Sequence, residues 1–497
     1  MANEKITQAG QTRVWLVESG PGPHRQPKYQ GTMAIGDSDW PAGDITPIKI
    51  PDPDHFNKFI TAGQVRSAEE NLTMPLTARY PAQASTLLDL RRKMCRVDLH
   101  VPLGKCTNPQ IYSRWEKMRI YRNGRITNWS DENAGALDDD AQGVINESGE
   151  FSFEEMYEVL PLTFQELASA YALREIIDAS ICDSQTCGDC EGESDGKSKL
   201  FLTMIGTGAT PGTIASVLYS DDGGSTWAAT DIDTLFSNEV PSDGECVREY
   251  YVVAVNESNS IHYANKEDIL NGVEVWTEVI SGFVVGSGPN AIFALSGMDV
   301  WLAGDNGYIY KATDITAEVV VSDAGSATVQ NLLAIHASDS EHILATGMLN
   351  AVVYSENGGD TWSAITGPAV GESLKTCWMF DEDTWFIGTN TGALWYTNNK
   401  GISWTQKALP GAADNIDKIK FFDDTVGYLA VRRGGYGSLY RTTDGGNSWY
   451  IIPQNAAAIP VNDYLNDIGV SPFDPNFVLA GGLADDGAAG FVVIASA

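Results

Sequence analysis

The C-terminal two-thirds of the chain alternates short apolar runs with polar turns, and one turn recurs four times. Apolar runs end on Tyr219, Tyr354, Tyr396 and Tyr440, and each leads into the pattern Ser/Thr-x-Asp/Asn-x-Gly-x-Ser/Thr-Trp. The copies use Ser220, Asp222, Gly224, Thr226 and Trp227; Ser355, Asn357, Gly359, Thr361 and Trp362; Thr397, Asn399, Gly401, Ser403 and Trp404; and Thr442, Asp444, Gly446, Ser448 and Trp449. A short apolar run bounded by turn residues predicts a strand, so each copy predicts the tip of a hairpin. The hydroxyl and the Asp/Asn side chain are suited to bond backbone groups inside a tight turn. The glycine supplies a positive φ without steric cost.

The tryptophans set a period. Trp362 and Trp404 are 42 residues apart, Trp404 and Trp449 are 45 apart, and Trp227 and Trp362 are 135 apart, or three periods. Two worn units are therefore expected in the gap. One is Ser260–Asn265, with Trp276 in the tryptophan place, and the other is Gly307–Lys311, with none. A seventh unit follows Trp449 as Asn466–Val470, Phe477–Ala480 and Gly490–Ser496. A period of about 40–50 residues signals propeller blades. The first unit begins at Lys199–Ile205 and the seventh ends without an outer strand, so a ring closes best if one blade mixes N- and C-terminal strands.

The repeated turn resembles the Asp-box, or BNR repeat, of β-propellers. That resemblance implies a structural role for the box residues on the outer rim, and a fold shared by sialidases and by many non-enzymes. A sialidase needs three converging arginines and a Tyr/Phe-Arg-Ile-Pro motif. No Arg-Ile-Pro occurs, and the propeller region has only Arg248, Arg432, Arg433 and Arg441. Photosystem assembly factors share propeller repeats, but that reading leaves the N-terminal region unexplained.

Upstream the repeats vanish. Residues 1–60 are proline-rich and predict an extended arm or long loop. Thr73–Arg79 and Arg96–Val101 predict strands, and Ala84–Lys93 has an apolar face at helical spacing. Lys117–Asn128 predicts a hairpin about Asn123-Gly124, a pair suited to a type I′ turn. Residues 181–199 are small and polar and predict a linker. The expected fold is mainly β: an N-terminal α+β, sandwich- or barrel-like assembly domain with an extended arm over 1–180, the linker 181–199, and a β-propeller over 200–497 that counts as seven blades, with six or eight still open because the strand count does not close.

Charge and cysteine refine this division. Of the net charge of −34, residues 1–180 carry 19 basic and 25 acidic residues and the remainder carries 13 and 41. Such acidity disfavours nucleic acid and anionic membranes as partners of the propeller. The first residues are polar, with no signal peptide, and no stretch approaches the ~20 apolar residues of a membrane span. Cys95, Cys106, Cys246 and Cys377 are scattered and read as small buried residues. Cys182, Cys187 and Cys190 have the spacing of part of an iron–sulfur loop or of three zinc ligands, with no fourth ligand nearby. Free thiols, a local disulfide, a metal and an intersubunit disulfide all stay open for them. The histidines His24, His55, His100, His262, His336 and His342 form no ligand pair, and each reads as core or surface. Asp138, Asp139 and Asp140 read as a solvated loop or an acidic lumen-facing segment.

The segment from Asn133 to Leu162, preceded by arm, strands, helix and hairpin, resembles the late part of siphophage major tail (tail tube) proteins. The resemblance covers roughly residues 1–180. It implies a virion structural protein: a subunit of stacked, hexameric homo-oligomeric rings in the tail, contacting other tail proteins. Genomic DNA would pass through the lumen without specific binding. The propeller would be an outward-facing decoration domain that binds host-surface glycans. On this reading the protein is no enzyme, has no catalytic residues and no cofactor, is made in the host cytoplasm and does not insert in membranes. The alternative is a standalone glycan-binding, adhesin-like propeller, and less so a glycosidase.

Overall fold

A computed structural model describes residues 12–18, 29–33, 45–51, 59–66, 72–78, 96–102, 118–132, 145–153, 155–166, 173–183, 200–208, 215–220 and 226–231, and, apart from short loop segments, 241–453 and 464–496. The chain forms two compact units, Met1–Gly20 with His24–Pro161, and Pro21–Pro23 with Leu162–Ala497. No helix among the described residues is long and apolar enough to cross a membrane.

In the first unit, antiparallel pairing runs through six strands and returns to its start. The order is Val97–Pro102, Thr12–Glu18, Tyr29–Met33, Leu72–Ala78, Ile145–Ser152 and Met118–Glu132, which pairs again with Val97–Pro102. Glu155–Val159 adds to Met118–Glu132, and Ile45–Pro51 pairs with Phe59–Arg66 as a separate two-stranded sheet. Two expectations change here. Residues 1–60 contain three strands and part of a fourth rather than an arm, and 118–132 is one strand rather than a hairpin. Asn123 does take a left-handed φ of 54°. The Oδ1 of buried Asp98 accepts its N–H at 2.9 Å, and Met118–Arg122 is paired on one edge with Glu155–Val159 and on the other with strand 97–102. The pair Asn123-Gly124 therefore makes a β-bulge and the chain continues. A Cβ at Gly124 would lie 2.3 Å from the Phe153 ring, so glycine is required there. The helix expected at Ala84–Lys93 lies outside the described residues.

The second unit is a β-propeller. Five of its sheets have four strands, and an eight-stranded sheet is two more blades joined by the single bridge Glu175–Leu483. From inner to outer strand, blade 1 is Leu173–Asp183, Leu200–Gly208, Ala215–Ser220 and Ala228–Asp231. Blade 2 runs from Asp243–Val247 to Thr277–Val279, blade 3 from Pro289–Ser296 to Val320–Ala324, and blade 4 from Leu332–Ala337 to Ser363–Thr366. Blade 5 runs from Leu374–Met379 to Thr405–Lys407, and blade 6 from Asn415–Phe421 to Tyr450–Ile451. Blade 7 is Tyr464–Val470, Val478–Leu483 and Phe491–Ser496, and its outer strand is Thr163–Glu166, from before blade 1. Each inner strand packs against the next, and those of blades 7 and 1 also touch, so the ring closes.

The structural boundary thus falls at Pro161/Leu162 rather than at 180/181. Residues 163–166 and 173–183 belong to the propeller, and the stretch expected to begin the linker continues the inner strand of blade 1. Residues 184–199, between the inner and second strands of blade 1 in the sequence, lie outside the described residues.

Second strands lie sandwiched between neighbouring blades and are largely buried, as Ile343–Gly347 illustrates with five consecutive buried residues. Burial on both faces removes the alternation that a one-sided sheet shows.

Candidate functional site: the central channel

The channel is built by one irregularity repeated around the ring. In blades 1, 3, 4, 5, 6 and 7 the ladder between inner and second strands skips a residue: Ile177, Asn290, Leu333, Lys375, Asp417 and Asn466. In blade 2, Ser242 takes that place, and its N–H and that of Asp243 face the same residue, Ala254. A bulge re-aims a side chain and bends its strand. All seven of these residues line a cavity of about 180 Å³ on the propeller axis. The residue after each bulge pairs with a small partner in most blades, such as Ala303, Gly388 and Gly481. A Cβ at Gly388 would lie 2.7 Å from the Thr376 methyl. The inner strand therefore packs directly on the second one at this level.

Residues just after the bulges form a first ring. Blades 3, 4 and 5 contribute Ala291, Ala334 and Thr376, and blades 6, 7, 1 and 2 contribute Lys418, Asp467, Asp178 and Asp243. The three aspartates are buried, and one carboxylate oxygen of each lies within 4.8 Å of the others. Lys418 Nζ is 2.9 Å from Asp467 and 3.6 Å from Asp243. Asp178 Oδ2 accepts from Ser180 and Tyr251, each at 3.1 Å. The Asp243 carboxylate accepts the N–H of Ile292 in blade 3 at 3.0 Å. Burial, reinforced by Asp467 and Asp243, pushes Asp178 well above its ordinary value. Burial pulls Lys418 down, but the three aspartates overcome it and hold the ammonium well above its ordinary value. Three buried carboxylates are a donor set for a hard cation. Here the Lys418 ammonium sits against two of them and supplies positive charge, so no ion is assigned.

Two residues further along, a second ring divides the channel. Phe293, His336 and Trp378 from blades 3, 4 and 5 contact one another in series, tilted by 41° and 40°, with ring centroids 4.4 Å and 4.0 Å apart. Met379 N–H donates to His336 Nδ1 at 3.2 Å. Burial, then Lys420, lowers His336 to about 3, so the ring is neutral. Across the ring stand Lys420 of blade 6 and Glu245 of blade 2. Burial raises Glu245 to about 7 against the pull of Lys420. Burial likewise raises Asp417, at its bulge, to about 6 against Arg432.

The box residues lie elsewhere, between the third and outer strands. In blade 4 the Ser355 hydroxyl accepts the N–H of Gly359 at 2.9 Å, and Asn357 Oδ1 accepts that of Thr361 at 2.9 Å. Thr397, Asn399, Gly401 and Ser403 repeat these bonds in blade 5, and Thr442, Asp444, Gly446 and Ser448 in blade 6. Gly359, Gly401 and Gly446 have φ of 92°, 74° and 83°. The tryptophans wedge against the preceding blade. Trp362 clusters with Trp301 and Ile309, Trp449 clusters with Phe386 and Tyr396, and Trp404 Nε1 donates to Thr366 O at 3.0 Å. In blade 1, Ser220 is buried and Trp227 half-buried, while Asp222 and Gly224 lie outside the described residues. Thr226 is exposed. Trp276 keeps the wedge position, packed against Val217 and Tyr251, although a short helix, Lys266–Leu270, replaces the turn.

The other singled-out residues disperse. Cys182 lies in the inner strand of blade 1, with its backbone paired to Phe201, while Cys187 and Cys190 lie outside the described residues. So do Asp138, Asp139, Asp140, His24 and His55. Cys246 is disulfide-bonded and no free small residue as expected, whereas Cys377 is a buried thiol that burial pushes up to about 12. Arg441 is buried beside Tyr428 and bonds Asn476 Oδ1 at 3.1 Å, and Arg432 lies 3.7 Å over the Tyr464 ring. His262 is buried, and burial lowers it to about 4. His342 pairs with Asp339 at 2.8 Å. Among the described histidines, only His336 reaches the channel. Sequence reading passed over the channel set, although the equivalence of Asp178, Asp243, Lys418 and Asp467 follows once the seven inner strands are superposed on the repeat.

No curated protein matches the chain in sequence. Among solved structures it is similar to YCF48 from Cyanidioschyzon merolae, at 15% identity and a TM-score of 0.49, over 67% of this chain and 98% of that one. It is similar to virginiamycin B lyase from Staphylococcus aureus at 13% identity and a TM-score of 0.49, over 68% and 99%. The structure of U3-55K matches at 10% identity and a TM-score of 0.47, over 67% and 98%. Residues 320–492 match the family described as the DUF6242 beta propeller domain. The C-terminal part of the chain is a β-propeller domain similar, over those residues, to that family.

Proposed function

We propose that the protein is a structural and recognition protein rather than an enzyme, in which the first unit assembles and the propeller is displayed. The observation that carries this reading is the closure of blade 7 by Thr163–Glu166, directly after the first unit. The ring closes through that strand within this unit and leaves only short outer edges, as propellers do, and so needs no partner to fold. With the resemblance of residues 1–180 to tail tube proteins, the proposed setting is a virion tail. The first unit forms stacked homo-oligomeric rings around the passing genome, contacts other tail proteins, and holds the propeller outward toward host-surface glycans. Negative-stain microscopy of the full chain tests this. Rings or tubes are expected, and a particle that stays monomeric at high concentration overturns the assembly role.

A second reading, a standalone recognition module, is favoured by the channel, where aromatic rings and charged groups converge on one cavity. Specific glycan binding by a monomeric full chain on an array selects that reading over the first.

A further inference from the structure

The second ring of the channel presents opposite charges across an aromatic wall, and these groups are only partly used by the fold. Lys418 is engaged by Asp467 and Asp243. Among the described residues Lys420 forms no ion pair, nor does Lys375. Glu245 Oε1 accepts only the N–H of the adjacent Cys246, at 3.0 Å. The Trp378 indole N–H is buried without a hydrogen-bond partner. Phe293, His336 and Trp378, in mutual ring contact, line the same cavity as Lys420 and Glu245. A buried charge or N–H without a partner is costly, and a ligand that supplies the partner recovers that cost.

We propose that the propeller channel binds a small zwitterion with a flat apolar part, of the chemical class of an aromatic α-amino acid. Its carboxylate pairs with Lys420, its ammonium with Glu245, and its ring lies against Trp378 and Phe293. The charge pattern selects this class over its halves. A simple anion would meet Glu245, Asp417 and the aspartates of the first ring, and a simple cation would meet Lys375, Lys418 and Lys420. A neutral sugar would cover Lys420 without neutralising it. The cavity volume of about 180 Å³ lies below the ~300 Å³ at which pockets for drug-sized ligands begin, which limits the occupant to a small molecule. The inference does not depend on whether the chain assembles.

Isothermal titration calorimetry and tryptophan fluorescence on the full chain test it. The probes are L-phenylalanine, its deaminated analogue 3-phenylpropionate, its decarboxylated analogue phenethylamine, and N-acetylglucosamine. L-Phenylalanine is expected to bind and to perturb the emission, with each half-analogue weaker by about tenfold or more, the worth of one charged hydrogen bond. Lys420→Gln should weaken L-phenylalanine and leave phenethylamine unchanged, and Glu245→Gln should do the converse for 3-phenylpropionate. Thermal melts of both variants verify that each is folded. No binding of the amino acid at millimolar concentration, equal binding of either half-analogue, or tighter binding of the sugar overturns the proposal.

Discussion

At the scale of single residues, the box hydrogen bonds and the box tryptophans do different work. The Ser/Thr hydroxyl and the Asn/Asp oxygen close the turn, whereas the indole holds two blades together. Trp362 is buried against blade 3 and donates its N–H to Gly359 O at 3.1 Å. Trp362→Ala should cost about 3–5 kcal/mol in denaturant unfolding. Trp276 is as deeply buried, so its alanine variant should cost as much, despite its degenerate turn. Its N–H has no hydrogen-bond partner, and Trp276→Phe should therefore cost much less than Trp276→Ala. A worn box preserves the wedge, which the turn sequence alone does not reveal. Lys418 is the other sensitive position. Lys418→Met leaves Asp243 and Asp467 buried without their cation and should cost about 3–5 kcal/mol. The double variant with Asp467→Asn should recover part of that loss, and a double-mutant cycle measures the coupling.

At the scale of elements, what was legible depended on whether a signal was local. Third strands and box turns were readable because turn chemistry is written in consecutive residues such as Asn357, Gly359 and Thr361. The count of seven units was readable from the tryptophan period, and the need for a mixed blade from a seventh unit that ends without an outer strand. The inner strand of blade 1 was not. Residues 173–183 carry no box, are separated in sequence from their partner 200–208 by a polar stretch, and were grouped with the region before them. The bulges were hidden for a related reason, since a skipped residue is defined by pairing, and pairing is non-local. Asn123-Gly124 shows the opposite failure, where a strong turn signal is overridden by strands on both edges. A fragment of 191–497 lacks 163–166 and 173–183, leaving blades 7 and 1 incomplete. It should aggregate or melt without cooperativity, whereas 162–497 should be a folded monomer by size-exclusion chromatography and calorimetry.

At the scale of the molecule, charge dominates. The chain carries a net −34, and several carboxylates face inward. Burial raises Glu245 from 4.5 to about 7 and Asp417 from 3.8 to about 6. In that window the folded chain binds more protons than the unfolded one. Stability therefore rises as pH falls from about 7 toward 4 and is lost as pH rises through it. A calorimetric melting temperature higher near pH 5.5, inside that window, than near pH 8, above it, is expected. Relief of surface self-repulsion acts in the same direction, so the diagnostic is Glu245→Gln, which should flatten the dependence near neutrality while leaving the surface charge almost untouched.

Blade 7 also orders events in time. During synthesis Thr163–Glu166 leaves the ribosome long before Phe491–Ser496, the strand it pairs with. Until then Thr163–Glu166 and the edge of Val478–Leu483 that will receive Phe491–Ser496 lack their partner, and the nascent chain is prone to pairing with neighbouring chains. The same closure that frees the finished ring from any partner thus makes the unfinished one dependent on dilution or on a chaperone, and the yield of soluble protein should fall as expression is made faster.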